Sequence, residues 1–335
     1  MTIRVMHVGL GPIGVGVLTQ VMARPGFEVA AAVDIDPEKA GKDVGEILGL
    51  DSKTGVEVQG DLEAALAKHA ADVVALCTGS TLPGIKSQLE SILGAGLPIV
   101  STTEELSFPQ FSNEPLTGEI DKMAREAGVA VVGTGVNPGF AMDTLPIVLS
   151  AACERVDSVT VDRIQDASVR RLPFQKKIGA GLEPDDFRQK ADRLEIRHVG
   201  LTESIAMIAA AFGWKLDRIT DVIEPKIADE PVASNFISVD KGQVAGLIQD
   251  GVGYRDGEPI IRLHMEAYLG APESYDAVRI EGSPAMYSKV EGGIPGDITT
   301  ASVTVNTLPR ALTAPPGLQT MRDLPIPSWW AGTGS

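Results

Sequence analysis

Hydrophobic and polar positions follow two rhythms along this 335-residue chain, and the change falls near residue 145. Before it, short all-apolar runs alternate with amphipathic stretches. Residues 3–8, 27–33, 73–77, 98–101 and 130–133 read as strands, and 14–23, 62–69, 82–95 and 114–127 as the helices between them. A run such as Val73-Val74-Ala75-Leu76 has no face for water. Strand–helix alternation at this spacing therefore predicts a parallel sheet covered on both sides, an α/β fold. After residue 145, segment 158–165 (Ser-Val-Thr-Val-Asp-Arg-Ile-Gln) alternates with period two, as a sheet with one solvated face requires. Segments 234–240, 245–254, 259–268 and 276–281 continue the pattern, and a helix over 198–212 interrupts it. These predict an α+β domain with an open antiparallel sheet. A last helix over 297–312 is expected to return to the first domain, and the tail 325–335, with Pro325, Pro327, Trp329 and Trp330, reads as a docked arm or a partner contact.

Residues 9–14, Gly-Leu-Gly-Pro-Ile-Gly, sit between the first strand and the first helix. Gly9 permits the tight turn, Gly11 lets the backbone approach a pyrophosphate, and Gly14 lets helix and strand pack closely, and Pro12 and Ile13 between them are expected to touch the cofactor as well. The helix N-terminus adds unpaired N–H groups and the positive end of its dipole. Asp34 follows 20 positions after Gly14 at the end of the second strand, where a carboxylate accepts ribose hydroxyls and repels a 2′-phosphate. Ile35, Asp36 and Pro37 follow with no arginine among them, so NAD is expected over NADP. The sheet is thus expected to be a doubly wound Rossmann domain over 1–145, completed by 297–335. Residues 146–296 are expected to form the substrate-binding and dimerisation domain. Thr78, Gly79 and Ser80 close another strand and are expected to touch the cofactor, as are Thr102 and Asn137 after the next two strands.

Composition narrows the partners. Apolar residues are 44% and charged residues 22%, an ordinary globular mixture. With 45 acidic and 29 basic side chains the formal charge is −16, which repels nucleic acid and anionic membrane, and no basic stripe overrides it. No apolar run approaches the roughly 18–20 residues of a membrane span. The chain enters its first strand at once, without a basic n-region, so a cytoplasmic protein is expected. Four histidines and two cysteines show no ligand spacing, so no metal is expected.

Two strand ends carry unusual polar clusters, Ser101-Thr102-Thr103-Glu104-Glu105 and Gly133-Thr134-Gly135-Val136-Asn137-Pro138-Gly139-Phe140. A carboxylate beside a nicotinamide can steady a developing iminium cation or move a proton to and from an amine. Glu104 and Glu105 also suit the N-terminus of a helix, and their residue types leave both readings open. Segments 103–109, 135–140 and 288–293 (Ser-Lys-Val-Glu-Gly-Gly) resemble the 2,4-diaminopentanoate dehydrogenase and native amine dehydrogenase family, relatives of dihydrodipicolinate reductase by fold. The resemblance runs over nearly the whole chain. It implies an NAD(P)H-dependent oxidoreductase that interconverts a primary amine with a ketone or keto acid and ammonia, with Glu104 as the catalytic carboxylate and Glu105 as runner-up. A homoserine- or diaminopentanoate-type dehydrogenase is the alternative on the same scaffold, and a non-catalytic NAD(H) sensor the alternative of another class. Arg163 and His264 are expected to hold a substrate carboxylate or other polar end. Phe140, Met142, Phe174, Ile178 and Met207 are expected to form an apolar wall, and Asn306 and Thr307 to meet the nicotinamide side. A homodimer through the open sheet is expected by analogy of fold.

Overall fold

The short apolar runs of the first half pair in parallel, as their lack of a polar face demands. The computed structural model describes residues 2–111 and 113–332. In chain order its first segment holds β1 (Ile3–Val8), α1 (Pro12–Ala23), β2 (Phe27–Val33), α2 (Val44–Ile47), β3 (Val58–Gln59), α3 (Leu62–Lys68), β4 (Val73–Leu76), α4 (Leu82–Gly94), β5 (Ile99–Ser101), α5 (Glu114–Ala127) and β6 (Ala130–Gly133). The middle segment holds α6 (Thr144–Ser150), β7 (Arg155–Asp166), α7 (Leu172–Lys177), α8 (Pro184–Asp192), α9 (Leu201–Ala211) and β8 (Arg218–Ile227). It continues with β9 (Val232–Ala233), β10 (Ser238–Val239), β11 (Val244–Arg255), β12 (Glu258–Tyr268), β13 (Tyr275–Ser283) and β14 (Met286–Glu291). Helix α10 (Gly296–Ala311) and β15 (Gly317–Gln319) follow. The chain divides into two compact units, residues 1–140 with 295–335, and residues 141–294.

In the first unit the strand order is β15-β6-β5-β4-β1-β2-β3, all parallel. From β1 the chain builds outward through β2 and β3, then returns to add β4, β5 and β6 on the other side. The carboxyl ends of β1 and β4 therefore flank the point where winding reverses, which is where open α/β sheets bind ligands. Strand β4 is wholly buried, and with Met6, Leu89, Ile99, Leu106 and Ile120 it belongs to the main core. Helix α10 returns against α1. Gly16 keeps the two backbones close to Ala301, and Gln20 Nε2 donates to Ser302 Oγ at 3.0 Å. The tail docks as an arm within this unit: the Trp330 ring meets Phe27 edge-on at 4.9 Å, and a Cβ on Gly26 would stand 2.6 Å from that indole. Residues 333–335 of the tail lie outside the described residues.

The second unit is a six-stranded sheet in the order β14-β13-β7-β12-β11-β8. It is mixed rather than antiparallel: β7 and β12 run parallel over eight register pairs from Val159↔Ile261 to Asp166↔Tyr268. Alternation along a strand reports which face is wet and is blind to the neighbour's direction. One face packs under α9, where a Cβ on Gly251 or Gly253 would stand 2.8 Å from Ile205. The expected strand over 234–240 is mostly a turn, because Ser234 Oγ accepts hydrogen bonds from the Phe236 and Ile237 amides. Only Ser238 and Val239 pair there, with β9. Strands β8 and β14 went unread in the sequence. Both are edge strands, partly exposed on both faces, and carry the charges and, in β8, the proline (Pro225) that keep edges soluble.

Candidate active site

The glycine loop is built by three different constraints. Gly9 has φ +96°, and a Cβ there would stand 2.5 Å from the Cys77 carbonyl. A Cβ on Gly14 would lie 1.9 Å from the Gly9 carbonyl. Gly11 has an ordinary φ of −68°, and nothing lies within 4 Å of where its Cβ would be. Packing thus explains Gly9 and Gly14, whereas Gly11 keeps a path to the backbone open. Gly11 is also the N-cap of α1, which has no side-chain cap and no acidic residue in its first turn. A helix start with bare N–H groups and an open approach fits a pyrophosphate. Asp34 completes the loop from β2: Oδ2 accepts from the Leu10 amide at 2.6 Å and Oδ1 from the Asp36 amide at 2.9 Å. Ile35 beside it is 84% exposed, an apolar side chain placed where the adenosine end of a dinucleotide would lie.

His7 was counted in the sequence only as one histidine of four, yet it holds the loop from below. Its fully buried Nε2–H donates to the Gly9 carbonyl at 2.8 Å, and Nδ1 has no partner among the described residues. Burial, opposed by that hydrogen bond and by Asp34, takes its pKa down to about 4. The folded form therefore stays neutral where an unfolded histidine, near 6.5, already binds a proton. Its contribution is complete above pH 6.5 and is lost as pH falls toward 4, by about 3 kcal/mol across that window. Urea unfolding at pH 7 and pH 4.5 should show a smaller acid loss for His7→Gln than for the parent; equal losses would remove His7 from the account.

Beyond β4, the loop from Cys77 to Ser80 lies against Gly9, with Thr78 Cγ2 at 2.8 Å from the position of a Gly9 Cβ. Thr78 and Gly79 are exposed there, as a cofactor contact requires. Thr103 Oγ1 donates to the Gly79 carbonyl at 2.8 Å and the Glu105 amide to the Ser80 carbonyl at 3.2 Å, so the loops after β4 and β5 form one assembly. The Thr102 amide binds the Leu76 carbonyl at the foot of that assembly. Burial pushes the Cys77 thiol up to about 12 against a hydrogen bond from Thr102, so it stays protonated at neutral pH.

A 3-10 turn, Glu104–Ser107, follows β5 and separates the two glutamates. Glu105 Oε2 accepts from the Leu82 amide at 2.8 Å and from Asn113 Nδ2 at 3.4 Å. It caps the N-terminus of α4, where a negative charge meets the helix dipole. Glu104 is half-buried at the carboxyl edge of the sheet. Asn137 sits at the end of the neighbouring β6 and is 6% exposed. Its loop is folded tightly, since Gly139 has φ +121° and a Cβ there would meet the Gly135 amide at 2.3 Å.

Several expected contacts are redirected. Asn306 Oδ1 accepts from Arg24 at the C-terminal end of α1, about three turns from the glycine loop. Thr307 is fully buried and bonds back to the Val303 carbonyl in its own helix. Neither is a nicotinamide contact, because both point into the α1–α10 packing or the core beneath it. In the second unit, Arg163 Nη1 binds Asp276 Oδ1 at 2.5 Å and Nη2 donates to the Ile294 carbonyl, with the pair 2% and 1% exposed. It is an internal clamp. His264 lies on the sheet face opposite α9, its Nδ1 2.7 Å from Asp250 and its Nε2 3.1 Å from Glu266. Burial opposes protonation there, yet those two carboxylates hold its pKa above the ordinary value. Ile178 belongs to the core around Phe187, and Met142 and Met207 are fully buried. Phe174 packs beside that core with the Arg170 guanidinium over its ring, and Phe140 is half-buried at the end of the first unit.

A doubly wound sheet with this loop, an uncapped α1 and Asp34 directly after β2 defines a pyridine-nucleotide dehydrogenase fold. Among the described residues no cluster has metal-ligand geometry, and no helix is long and apolar enough to cross a membrane. Comparison with known proteins is consistent with the fold. Residues 140–334 match the 2,4-diaminopentanoate dehydrogenase C-terminal domain, and residues 3–132 match the dihydrodipicolinate reductase N-terminus. The chain is 33% identical over 340 residues to a 2,4-diaminopentanoate dehydrogenase of Acetoanaerobium sticklandii, covering 97% of this chain and 94% of the relative. An amine dehydrogenase of Streptomyces virginiae is 26% identical, with 95% of each chain covered. The solved amine dehydrogenase of Mycobacterium smegmatis superposes with TM-score 0.87 at 23% identity over 99% of both chains. The chain belongs to the 2,4-diaminopentanoate dehydrogenase family of oxidoreductases.

Proposed function

We propose that the protein is an NAD(P)H-dependent amine dehydrogenase that reductively aminates a small ketone with ammonia and runs the reverse oxidative deamination. The observation that carries this is the carboxylate-bearing turn of Glu104, directly after β5 at the ligand edge of the dinucleotide-binding sheet, in a chain whose relatives are named for amines. The glycine loop and α1 would hold the pyrophosphate, Asp34 the ribose hydroxyls, and Thr78, Gly79, Ser80, Thr102 and Asn137 the nicotinamide half. The bound nicotinamide supplies or accepts the hydride. Glu104 accepts a proton from ammonium, which frees ammonia to add to the carbonyl carbon. Glu104 returns that proton to the hydroxyl of the resulting carbinolamine, which leaves as water, and the restored carboxylate steadies the cationic C=N carbon until hydride arrives. Half-burial strengthens that interaction relative to water.

Charge pairing within the second unit bears on the substrate as well. Arg163 and His264, the two groups expected to hold a substrate carboxylate, are each engaged by carboxylates of this chain. We therefore favour a neutral ketone over a keto acid. NADH oxidation followed across ketones and keto acids, with and without ammonium, tests the reading. Turnover should require ammonium and favour the ketones. Ammonium-independent turnover would mean alcohol chemistry, and NADH binding without turnover would mean a sensor. The solvated face of the six-stranded sheet, with Tyr275, Tyr287 and Lys289 on it, is the surface on which we place a homodimer contact.

A further inference from the structure

We infer that His7 is a positioning residue for the cofactor: it orients the Gly9–Leu10 peptide, and through it the Asp34 carboxylate, for the pyrophosphate and ribose of a dinucleotide. The inference rests on the dinucleotide reading above. That peptide is held at both ends. Its carbonyl accepts from His7 Nε2 at 2.8 Å, and its N–H, on Leu10, donates to Asp34 Oδ2 at 2.6 Å. Gly9, at φ +96°, has no side chain to hold the plane between them, so its direction comes from these two partners. Asp34 is fixed in turn: Oδ1 accepts the Asp36 amide at 2.9 Å, Lys39 Nζ lies 3.4 Å from Oδ2, and the side chain is 11% exposed. A buried donor, a peptide and a carboxylate thus form one chain of hydrogen bonds that ends at the ribose edge, each bond polarising the next.

The sheet builds a slot for the ring. Met6 and Val8 turn to the main core, so His7 between them turns to the other face. Its register partners there are Ala32 on β2 and Ala75 on β4, both fully buried. Two methyl groups leave room for an imidazole that larger neighbours would fill. On the loop side, a Cβ on Gly14 would stand 3.0 Å from Nε2, so the third glycine clears the ring as well as the Gly9 carbonyl. Inside this slot the ring makes a single bond. Nδ1 has no partner among the described residues, and a buried nitrogen left so is a cost to folding. An apolar side chain would fill the space without that cost. What only a donor adds is a direction for the Gly9 carbonyl, and a local rule broken in this way marks a functional position. Because a carbonyl only accepts, Nε2 carries the proton, and burial keeps the imidazole neutral down to about pH 4.

Affinities for NADH and for ADP-ribose, measured by calorimetry at pH 7 on the parent, His7→Leu, His7→Gln and Asp34→Asn, test this without relying on turnover. Leucine fills the slot and donates nothing, whereas glutamine keeps an N–H donor at similar reach. His7→Leu should lower both affinities about tenfold, the worth of one buried hydrogen bond, and His7→Gln should recover most of that loss. In the double variant His7→Leu with Asp34→Asn, the loss should fall short of the product of the single losses, because both act on one peptide. Melting temperatures verify that the variants remain folded. Should His7→Leu not fold, His7→Asn takes its place, since its amide stops short of the Gly9 carbonyl. Unchanged affinities with a lowered melting temperature, or losses that simply multiply, overturn the inference and leave the dinucleotide site standing. A parent protein that binds neither NADH nor NADPH overturns the dinucleotide reading itself.

Discussion

Replacing Glu104 with glutamine should lower kcat by about 10²–10⁴-fold, the usual loss when a positioned acid–base group is removed. Glutamine keeps the size and polarity of the side chain, so the fold and the glycine loop should be undisturbed, and NADH affinity should change little. What it removes is the charge: an amide takes no proton from ammonium and offers a cation only a dipole. The comparison with Glu105→Gln makes the experiment decisive. Glu105 caps α4 through the Leu82 amide, so its loss should appear as about 1 kcal/mol of stability rather than as a loss of turnover on that scale. Steady-state assays of both variants, with urea unfolding alongside, separate the two roles. If Glu104→Gln keeps most of its ammonium-dependent turnover while Glu105→Gln loses it, the assignment is reversed.

Arg163→Ala should be the most destabilising single change in the second unit, by about 3–5 kcal/mol, because it strands a buried charge. Asp276 is 1% exposed and its Oδ1 faces the guanidinium, while Oδ2 accepts the Ile294 amide at 2.7 Å. Without Arg163 that carboxylate has neither water nor a cation. The double variant Arg163→Met with Asp276→Leu should recover much of the loss, since two apolar groups need no compensation, although the Ile294 amide and carbonyl each lose a partner. Chemical denaturation of the singles and the double tests this. Should Arg163→Ala prove as stable as the parent and instead raise KM for keto acids, the residue belongs to substrate binding after all.

Much of the first unit was legible in the sequence because its signals are local. A strand buried on both faces is apolar along its whole length, a glycine turn is contiguous, and Asp34 follows at a distance set by one helix and one strand. The expected strand over 73–77, ending at Cys77, and the helix over 114–127 differ from β4 and α5 by at most a residue. In the second unit the same rule worked for the central strands and failed at the edges. Strands β8 and β14 are solvated, so their residues need not alternate, and Ser234 spent its hydroxyl on a turn that alternation does not show.

The division between sequence and tertiary structure is sharpest for the polar residues. From the sequence alone it follows that a doubly wound sheet carries a glycine loop after its first strand, that Asp34 stands at the end of the second, and that two adjacent glutamates close the fourth apolar strand run. The fold alone engages Glu105 with a helix start 23 residues away in the chain and so gives the two glutamates different surroundings. It likewise turned Arg163 and Asp276, 113 residues apart, into a clamp, gave His264 two carboxylates, and set Lys39 against Asp34. The physical reason is common to all of these. Apolar periodicity is a property of neighbouring residues, whereas the role of a charged group depends on which opposite charge or bare amide the fold brings within about 3 Å of it.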